Sequence, residues 1–137
     1  MKVLVLADDS EPALRAVRHA AFLFKEGSVS QVVLLNVQPP LPLGRACAFH
    51  SQQEFYRSEA QEGEAALQPA CKILDEAGAN YVKQVKLGEP ASTISQTAAN
   101  DCQGILLARG SALKALVSAR LANKVLRLSH IPVTLVA

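Results

Sequence analysis

The chain has 137 residues, 50% of them hydrophobic and 19% charged, and a formal net charge of +2. This length suffices for one domain, residues 1–137, that buries a hydrophobic core without disulfides or a metal, and the composition excludes a disordered chain. A net charge of +2 with 4% aromatic residues also argues against nucleic-acid binding.

The amino-terminal residues predict a buried strand followed by an amphipathic helix. Lys2–Ala7 is rich in valine and leucine, which is typical of a strand buried on both faces of a parallel sheet. Its apolar part is too short for a signal peptide or a membrane span, so we expect a cytoplasmic protein. Asp8, Asp9 and Ser10 follow the strand. Ser10 is the expected N-cap of the helix, which Gly27 ends.

The next segment predicts a second strand, a long loop and a long helix. Val32–Val37 is another buried strand. Leu41–Ser51 is predicted as a loop long enough to act as a lid. A helix should extend over Gln52–Ala77. Pro69 lies inside this helix, so we expect a kink or an early break near Leu67.

The rest of the chain predicts three strands and two helices, and the first of these strands alternates apolar and polar residues as a strand nearer the sheet edge does. Alternation of five strands and four helices implies a doubly wound parallel α/β sheet with right-handed crossovers. Ligands of such sheets bind at the carboxyl ends of the strands. The predicted elements are a strand over Asn80–Leu87, a helix from Glu89 to Ala99, a strand over Gly104–Ala108, a helix from Ser111 or Ala115 to Leu128, and a strand over Pro132–Val136.

Neither a metal site nor a catalytic group is predicted. Cys47, Cys71 and Cys102 lie far apart, without a CxxC pair or a histidine at zinc-finger spacing. We interpret them as buried or idle thiols. No serine has the surroundings of an activated nucleophile. We therefore expect no metal, no disulfide and no enzymatic activity.

Four segments in order resemble the successive signatures of the universal stress protein family. They are Val3–Ser10 before the first helix, Val33–Val37 before two prolines, Leu87–Ala91 before a helix, and Lys124–Val136 near the carboxyl end. The resemblance covers essentially the whole chain. It implies a flavodoxin-like sheet, of the adenine-nucleotide alpha-hydrolase type, with strand order 3-2-1-4-5.

The resemblance also implies homodimers that form by pairing of the last strand, here Pro132–Val136, across a two-fold axis. An apolar edge strand left unpaired would promote aggregation. Thr134→Pro is expected to remove a hydrogen-bond donor from the ladder and to give monomeric or insoluble protein.

The family contains members that bind ATP and members that do not, and the binding members carry a G-x2-G-x9-G-[S/T] motif after the fourth strand. In an ungapped placement the three glycines and the hydroxyl residue of this motif fall on Leu106, Arg109, Ala119 and Arg120. Moving the placement to use Gly110 shortens the loop and still gives no glycine at the start of the helix. A Cβ at such a position hinders close approach of a phosphate to the backbone.

Asp8 and the basic carboxyl-terminal third are the remaining site candidates. In nucleotide-binding relatives the aspartate that matches Asp8 lies in the adenosine pocket, whereas Asp9 stands where those relatives usually have glycine. Two adjacent carboxylates repel a phosphate unless Mg²⁺ joins them. We favour a capping role for Asp8, Asp9 and Ser10 at the first helix. The cations after Asp101 are interpreted as a solvated helix face rather than an anion site.

Three functional hypotheses follow from these observations. The leading one is a non-enzymatic universal stress protein, a homodimeric stress-response or signalling module that acts through protein contacts without ATP or another cofactor. The alternative is an adenine-nucleotide sensor or weak ATPase that binds ATP with Mg²⁺ through Asp8, the Val37 backbone, Arg109 and Arg120. The third is a different small ligand held under the Leu41–Ser51 loop.

Overall fold

Strands and helices alternate along the chain and form one parallel sheet. The computed structural model describes residues 1–38, 52–109 and 118–137. Their five strands are parallel, in the order β3-β2-β1-β4-β5, which confirms the predicted doubly wound fold. The elements are β1 (Lys2–Leu6), α1 (Glu11–Lys25), β2 (Gln31–Gln38), α2 (Gln52–Glu76), β3 (Tyr81–Leu87), α3 (Pro90–Asp101), β4 (Gly104–Ala108), α4 (Ser118–Leu128) and β5 (Val133–Val136).

Each face of the sheet has its own hydrophobic core. Successive side chains of a strand point to opposite faces, so Val3 and Val5 of β1 belong to the core under α1 and α2. Leu4 and Leu6 belong to the core under α3 and α4. Full burial of a valine or leucine side chain stabilises a fold by roughly 1.5–3 kcal/mol. The central strands therefore hold both helical layers in place.

Ser10 and Gly27 explain where α1 begins and ends. The Ser10 hydroxyl accepts the backbone N–H of Ala13 at 3.3 Å, which confirms the predicted N-cap. Gly27 lies just beyond the helix with a φ of +85°, a left-handed conformation that glycine adopts without strain. The helix therefore leaves the carboxyl end of β1 and returns to the amino end of the sheet.

α2 continues through Pro69 without interruption, so the predicted early break near Leu67 is wrong. A proline inside a helix removes one hydrogen bond and costs about 3 kcal/mol. Leu67, Ala70 and Leu74 are nevertheless buried against the sheet on both sides of the proline. We attribute the continuous helix to this packing. The helix propensities of the individual residues do not predict it.

The other observed bounds differ from the predicted ones by at most two residues, as at α3, which ends at Asp101 instead of Ala99. The predicted loop over Leu41–Ser51 and the two predicted starts of the last helix, Ser111 and Ala115, lie outside the described residues. In the parts of the chain that the structure describes, no helix is long and apolar enough to span a membrane.

Candidate functional site

Three of the four predicted site residues lie at the carboxyl end of the sheet. We use this term for the ends of β1, β2 and β4, which lie side by side where the strand order reverses. Asp8 follows β1, Val37 is the second-last residue of β2, and Arg109 follows β4. The Val37 side chain is buried, so its backbone is the part that a ligand would contact.

Asp8 shapes the turn between β1 and α1. Its Oδ1 accepts the backbone N–H of Ser10 at 2.8 Å, and Ser10 then caps the helix. The Asp8 residue is partly buried, whereas Asp9 is exposed. The carboxylate of Asp8 thus has a structural task at the same place where a ligand of this fold would bind.

Asn36 is a buried polar residue at the carboxyl end that the sequence reasoning missed. It is only 1% exposed. Its Nδ2 donates to the Ala7 carbonyl at 3.0 Å, and its Oδ1 accepts from Gln38 Nε2 at 2.6 Å. These bonds tie the end of β1 to β2 immediately before Asp8. The available signal was one amide residue inside the apolar run Val32–Val37.

A second buried polar residue, Glu59, lies on α2 above the same end of the sheet. Gly63 packs so closely on the strands that an added Cβ would collide with Val85 and lie 3.0 Å from Asn36 Oδ1. Because α2 connects two parallel strands, it runs back along the sheet, and its earlier residues lie nearer the carboxyl end. Glu59, one turn before Gly63 and 2% exposed, therefore places a carboxylate close to that end.

The two arginines predicted to contact phosphate both follow β4, one directly after the strand and one on α4. Both are exposed. The backbone N–H of Arg109 donates to the Val136 carbonyl at 2.7 Å, beyond the last residue of β4. Arg120 lies on α4, and within the described parts of the chain no ion pair joins either arginine to Asp8. Arg109 therefore lies directly at the carboxyl end of β4, and Arg120 lies in the first turn of α4 as the structure describes it.

The ungapped placement of the glycine motif does not match the fold at its first position. Leu106 is buried inside β4, where it pairs with Val5 of β1 and Thr134 of β5. A residue at the centre of a strand cannot line a phosphate-binding loop. Such a loop can begin only after β4, at Arg109, so the placement with a shortened loop is the one that the fold allows.

The cations of α4 border a shallow groove beside α3. Its two adjoining parts have volumes of about 320 and 210 Å³. Glu89 caps α3 here, and the backbone N–H of Ser92 holds the pKa of the Glu89 carboxyl below its ordinary value. Lys124 Nζ lies 3.9 Å from Glu89 Oε1. This carboxylate makes the groove a poor anion site, and the exposure of Lys124 and Arg127 agrees with the predicted solvated helix face.

Two of the three cysteines lie in the described residues, and both are buried and free. Burial raises the pKa of the Cys102 thiol to about 11, so this thiol stays protonated at neutral pH. Cys47 lies outside the described residues. Among the residues that the structure describes, no three histidine, cysteine, aspartate or glutamate side chains gather as metal ligands would.

Comparison with known sequences identifies one family. The model of the universal stress protein family matches residues 1–137. A comparison with curated protein sequences finds none similar enough to count as a relative.

Solved structures of universal stress proteins share the fold. One from Lactobacillus plantarum has a TM-score of 0.80 at 16% identity, with 100% of this chain and 97% of that chain covered. One from Archaeoglobus fulgidus in complex with dAMP has a TM-score of 0.71 at 22% identity, with 100% and 98% covered. One from Arabidopsis thaliana with AMP bound has a TM-score of 0.68 at 18% identity, with 99% and 90% covered. At these identities the likeness establishes the fold alone.

Proposed function

Because the chain belongs to the universal stress protein family, we propose that it is a non-enzymatic stress-response module that acts in the cytoplasm as a homodimer and does not bind ATP. The observation that carries this proposal is the free edge of β5. The residues at the carboxyl end of the sheet support the second half of the proposal, that the chain does not bind ATP.

β5 is an edge strand without a charged side chain. Among the described strands it pairs with β4 alone, and its residues are Val133, Thr134, Leu135 and Val136. Leu135 is 52% exposed. A flat, uncharged strand edge favours pairing with another strand, and a second copy of the same chain related by a two-fold axis satisfies this demand.

The carboxyl end of the sheet is poorly suited to a triphosphate. The first residue after β4 is Arg109 instead of glycine, and its N–H is already bonded to Val136. Asp8 and Asp9 add negative charge at the same end. Like charges at short range oppose a bound phosphate. The described part of this end therefore offers no obvious backbone cradle for an anion.

Sedimentation velocity and isothermal titration test the two halves of the proposal separately. We expect a dimer at micromolar protein concentration, and no heat of binding when ATP or AMP is added with Mg²⁺. A monomer would contradict the first half. A saturable titration that ends at one nucleotide per chain would contradict the second half and leave the dimer standing.

A second candidate function, adenine-nucleotide binding by a sensor or weak ATPase, is favoured by the meeting of Asp8, the Val37 backbone and Arg109 at the carboxyl end. Universal stress proteins of A. fulgidus and A. thaliana hold dAMP and AMP. An arginine side chain can bind phosphate in place of backbone N–H groups. Arg120 is the further cation in this proposal, and Mg²⁺ would join Asp8 to the phosphates.

Thermal unfolding with and without ATP and Mg²⁺ tests this second function. It requires that the nucleotide raise the Tm of the unmodified protein and that Arg109→Ala abolish the rise. Lys25→Ala is the control, because Lys25 is an exposed cation in the last turn of α1, at the opposite end of the sheet. No rise in the unmodified protein, or equal loss in both variants, would exclude this function.

A further inference from the structure

The shallow groove beside α3, which we call the α3–α4 groove, follows this helix next to the last turns of α4. Its two adjoining parts, of about 320 and 210 Å³, share Ser92 and Leu128. Ser92, Ser95 and Ala99 succeed each other by about one helical turn and therefore lie on one side of α3. The distance from the first to the last is roughly 10 Å. Because these side chains are small, another chain can come close to the helix.

Leu128 is an apolar contact point at the centre of this groove. It lines both parts of the groove, and 49% of its surface is exposed. Ala99 of α3 is also exposed and lines the second part. Removal of apolar surface from water is favourable. An apolar side chain that lies between Leu128 and Ala99 would therefore stabilise a bound segment.

Ser95 has a hydroxyl group that the fold leaves without a hydrogen bond. Its Oγ is buried, and no residue in the described parts of the chain bonds to it. Two other hydroxyls of the same helix bond back to carbonyls one turn earlier, Thr93 Oγ1 to Glu89 at 2.7 Å and Thr97 Oγ1 to Thr93 at 2.6 Å. A buried polar group without a partner is costly. Since Ser95 lines the groove, rotation of its side chain brings the hydroxyl to a bound segment.

The α4 side of the groove carries positive charge that the chain itself does not balance. Arg120, Lys124 and Arg127 follow each other by about one turn and share a face of α4, and all three are exposed. No aspartate or glutamate occurs after Asp101. In the described residues Lys124 has one acidic neighbour, Glu89 at 3.9 Å, and neither arginine has an ion pair.

A free anion and a protein segment meet this charge differently. A small anion in the groove lies beside Glu89, which repels it. A segment that is held by an apolar side chain at Leu128 can direct its carboxylates to Arg127, while Glu89 stays beside Lys124. Charge complementarity of this kind selects partners and speeds their association. The groove therefore fits an apolar residue flanked by acidic ones.

We propose that the α3–α4 groove docks a short acidic segment of another protein in extended conformation, with an apolar side chain between Ala99 and Leu128 and carboxylates at Arg127. Three or four extended residues span roughly 10 Å, the length of the groove. An extended segment has free backbone groups for the Ser95 hydroxyl, whereas a helix uses its own. This docking goes beyond the function proposed above and does not depend on it, because none of these residues lies on β5.

Selection from a library of random peptides displayed on phage identifies the segments that the unmodified protein binds. The enriched peptides are synthesised with a fluorophore, and fluorescence polarisation gives their Kd. We expect enrichment of peptides that carry an apolar residue with aspartate or glutamate close to it in sequence. Vesicles of phosphatidylserine are tested in parallel by co-sedimentation, because an anionic membrane is the other surface that the cations of α4 can attract.

Three variants of the groove and one control locate the bound peptide. Arg127→Glu should weaken binding at least about tenfold, because attraction becomes repulsion, and Ala99→Trp should do the same by filling the groove. Ser95→Ala should weaken binding severalfold without lowering the Tm of the free protein, because the hydroxyl has no partner there. Lys72→Glu is the control, since Lys72 is an exposed cation on α2, at the other face of the sheet. It should leave the Kd within about twofold.

The proposal is overturned if the library yields no enriched sequence, or if the enriched peptides are basic or uncharged. Enriched acidic peptides that bind the groove variants as tightly as the unmodified protein would place the docking surface elsewhere. Equal weakening by Arg127→Glu and Lys72→Glu would show attraction to net charge alone. Binding of the vesicles without binding of any peptide would assign the cations of α4 to a lipid surface. None of these outcomes changes the sedimentation and calorimetry results that test the function proposed above.

Discussion

The two edge strands of the sheet differ in the charge of their side chains. β3 carries Lys83 and Lys86, whereas β5 carries no charged residue. Charged side chains, lysine above all, are a common protection of strand edges against pairing with other chains. The β3 edge is therefore protected against pairing, and the β5 edge, which the proposed dimer would cover, is not.

The lysines of β3 are held on opposite faces of the sheet. Lys83 Nζ lies 2.9 Å from Glu64 of α2, and Lys86 Nζ donates to the Thr97 hydroxyl of α3 at 3.1 Å. The bond to Glu64 raises the pKa of Lys83 above its ordinary value. A strand that approached β3 would have to pass two ammonium groups and displace their partners.

The largest effects on stability and association are expected from two proline variants of β5, which remove different hydrogen bonds. Thr134→Pro removes a donor from the β4–β5 ladder and leaves the carbonyl of buried Ile105 unpaired, at a cost of roughly 2–3 kcal/mol. Leu135→Pro keeps that ladder, because the register with β4 turns the Leu135 N–H to the open side of β5. In a dimer that pairs this strand with its copy, the substitution removes two intermolecular hydrogen bonds, each worth about 1 kcal/mol, which weakens the dimer roughly thirtyfold.

Urea unfolding and sedimentation velocity measure both proline variants. Thr134→Pro should lose stability within the single chain, and Leu135→Pro should give a folded protein of weakened association. The register with β4 turns the Thr134 N–H inward, so the ladder donor that Thr134→Pro removes belongs to the single chain. A dimer that withstands Leu135→Pro would show that another surface is used.

The parts of the fold that sequence predicts well are those that one local pattern decides. Gly104–Ala108 is a short apolar run between polar residues, and its observed bounds are the predicted ones. Ser10 and Gly27 mark the ends of α1 because capping and left-handed backbone depend on the residue itself. The strand order also follows, once the family resemblance is added to the alternation of strands and helices.

The missed features depend on contacts between distant segments. Glu59 is buried because Gly63, one turn later, lets α2 approach β2 and β3 closely. Asn36 can be buried because the carbonyl of Ala7, directly after β1, accepts a hydrogen bond from its side-chain amide. Neither contact can be predicted from neighbouring residues, although one amide residue inside an apolar run made Asn36 unusual. At the candidate site, topology brings Asp8, Val37 and Arg109 to one end of the sheet, and their binding of a nucleotide stays a prediction.

An intermediate effect is expected from removing the protection of β3. In the Leu135→Pro background, in which β5 association is weakened, Lys83→Val should produce new self-association, because it makes one face of the β3 edge as apolar as β5. Sedimentation velocity over a range of protein concentrations measures it. Lys25→Val is the matched control, since this exposed lysine lies on α1 and away from both edges. Equal behaviour of the two lysine variants would show that charge on β3 does not control pairing.

The smallest effect concerns Tyr81, at the start of β3. Its hydroxyl donates to Asp75 Oδ1 at 2.7 Å, and this bond, followed by burial, raises the pKa of Tyr81 above its ordinary value. As pH rises past about 10, the unfolded chain loses the phenol proton before the folded chain does, so the stability that the bond contributes is lost. β5 has no titratable side chain, so only the β3 edge should respond in this way.

Tyr81→Phe tests this difference between the edges through urea unfolding at pH 8 and near pH 11. At pH 8 the substitution should cost roughly 0.5 kcal/mol, because the lost hydrogen bond is solvent-exposed. Near pH 11 the variant and the unmodified protein should converge in stability, since the unmodified protein then loses what the bond contributed. Lys83 is present in both proteins, so its own alkaline titration cancels in the comparison. A constant difference between the two proteins at both pH values would show that Tyr81 does not make the β3 edge pH-sensitive.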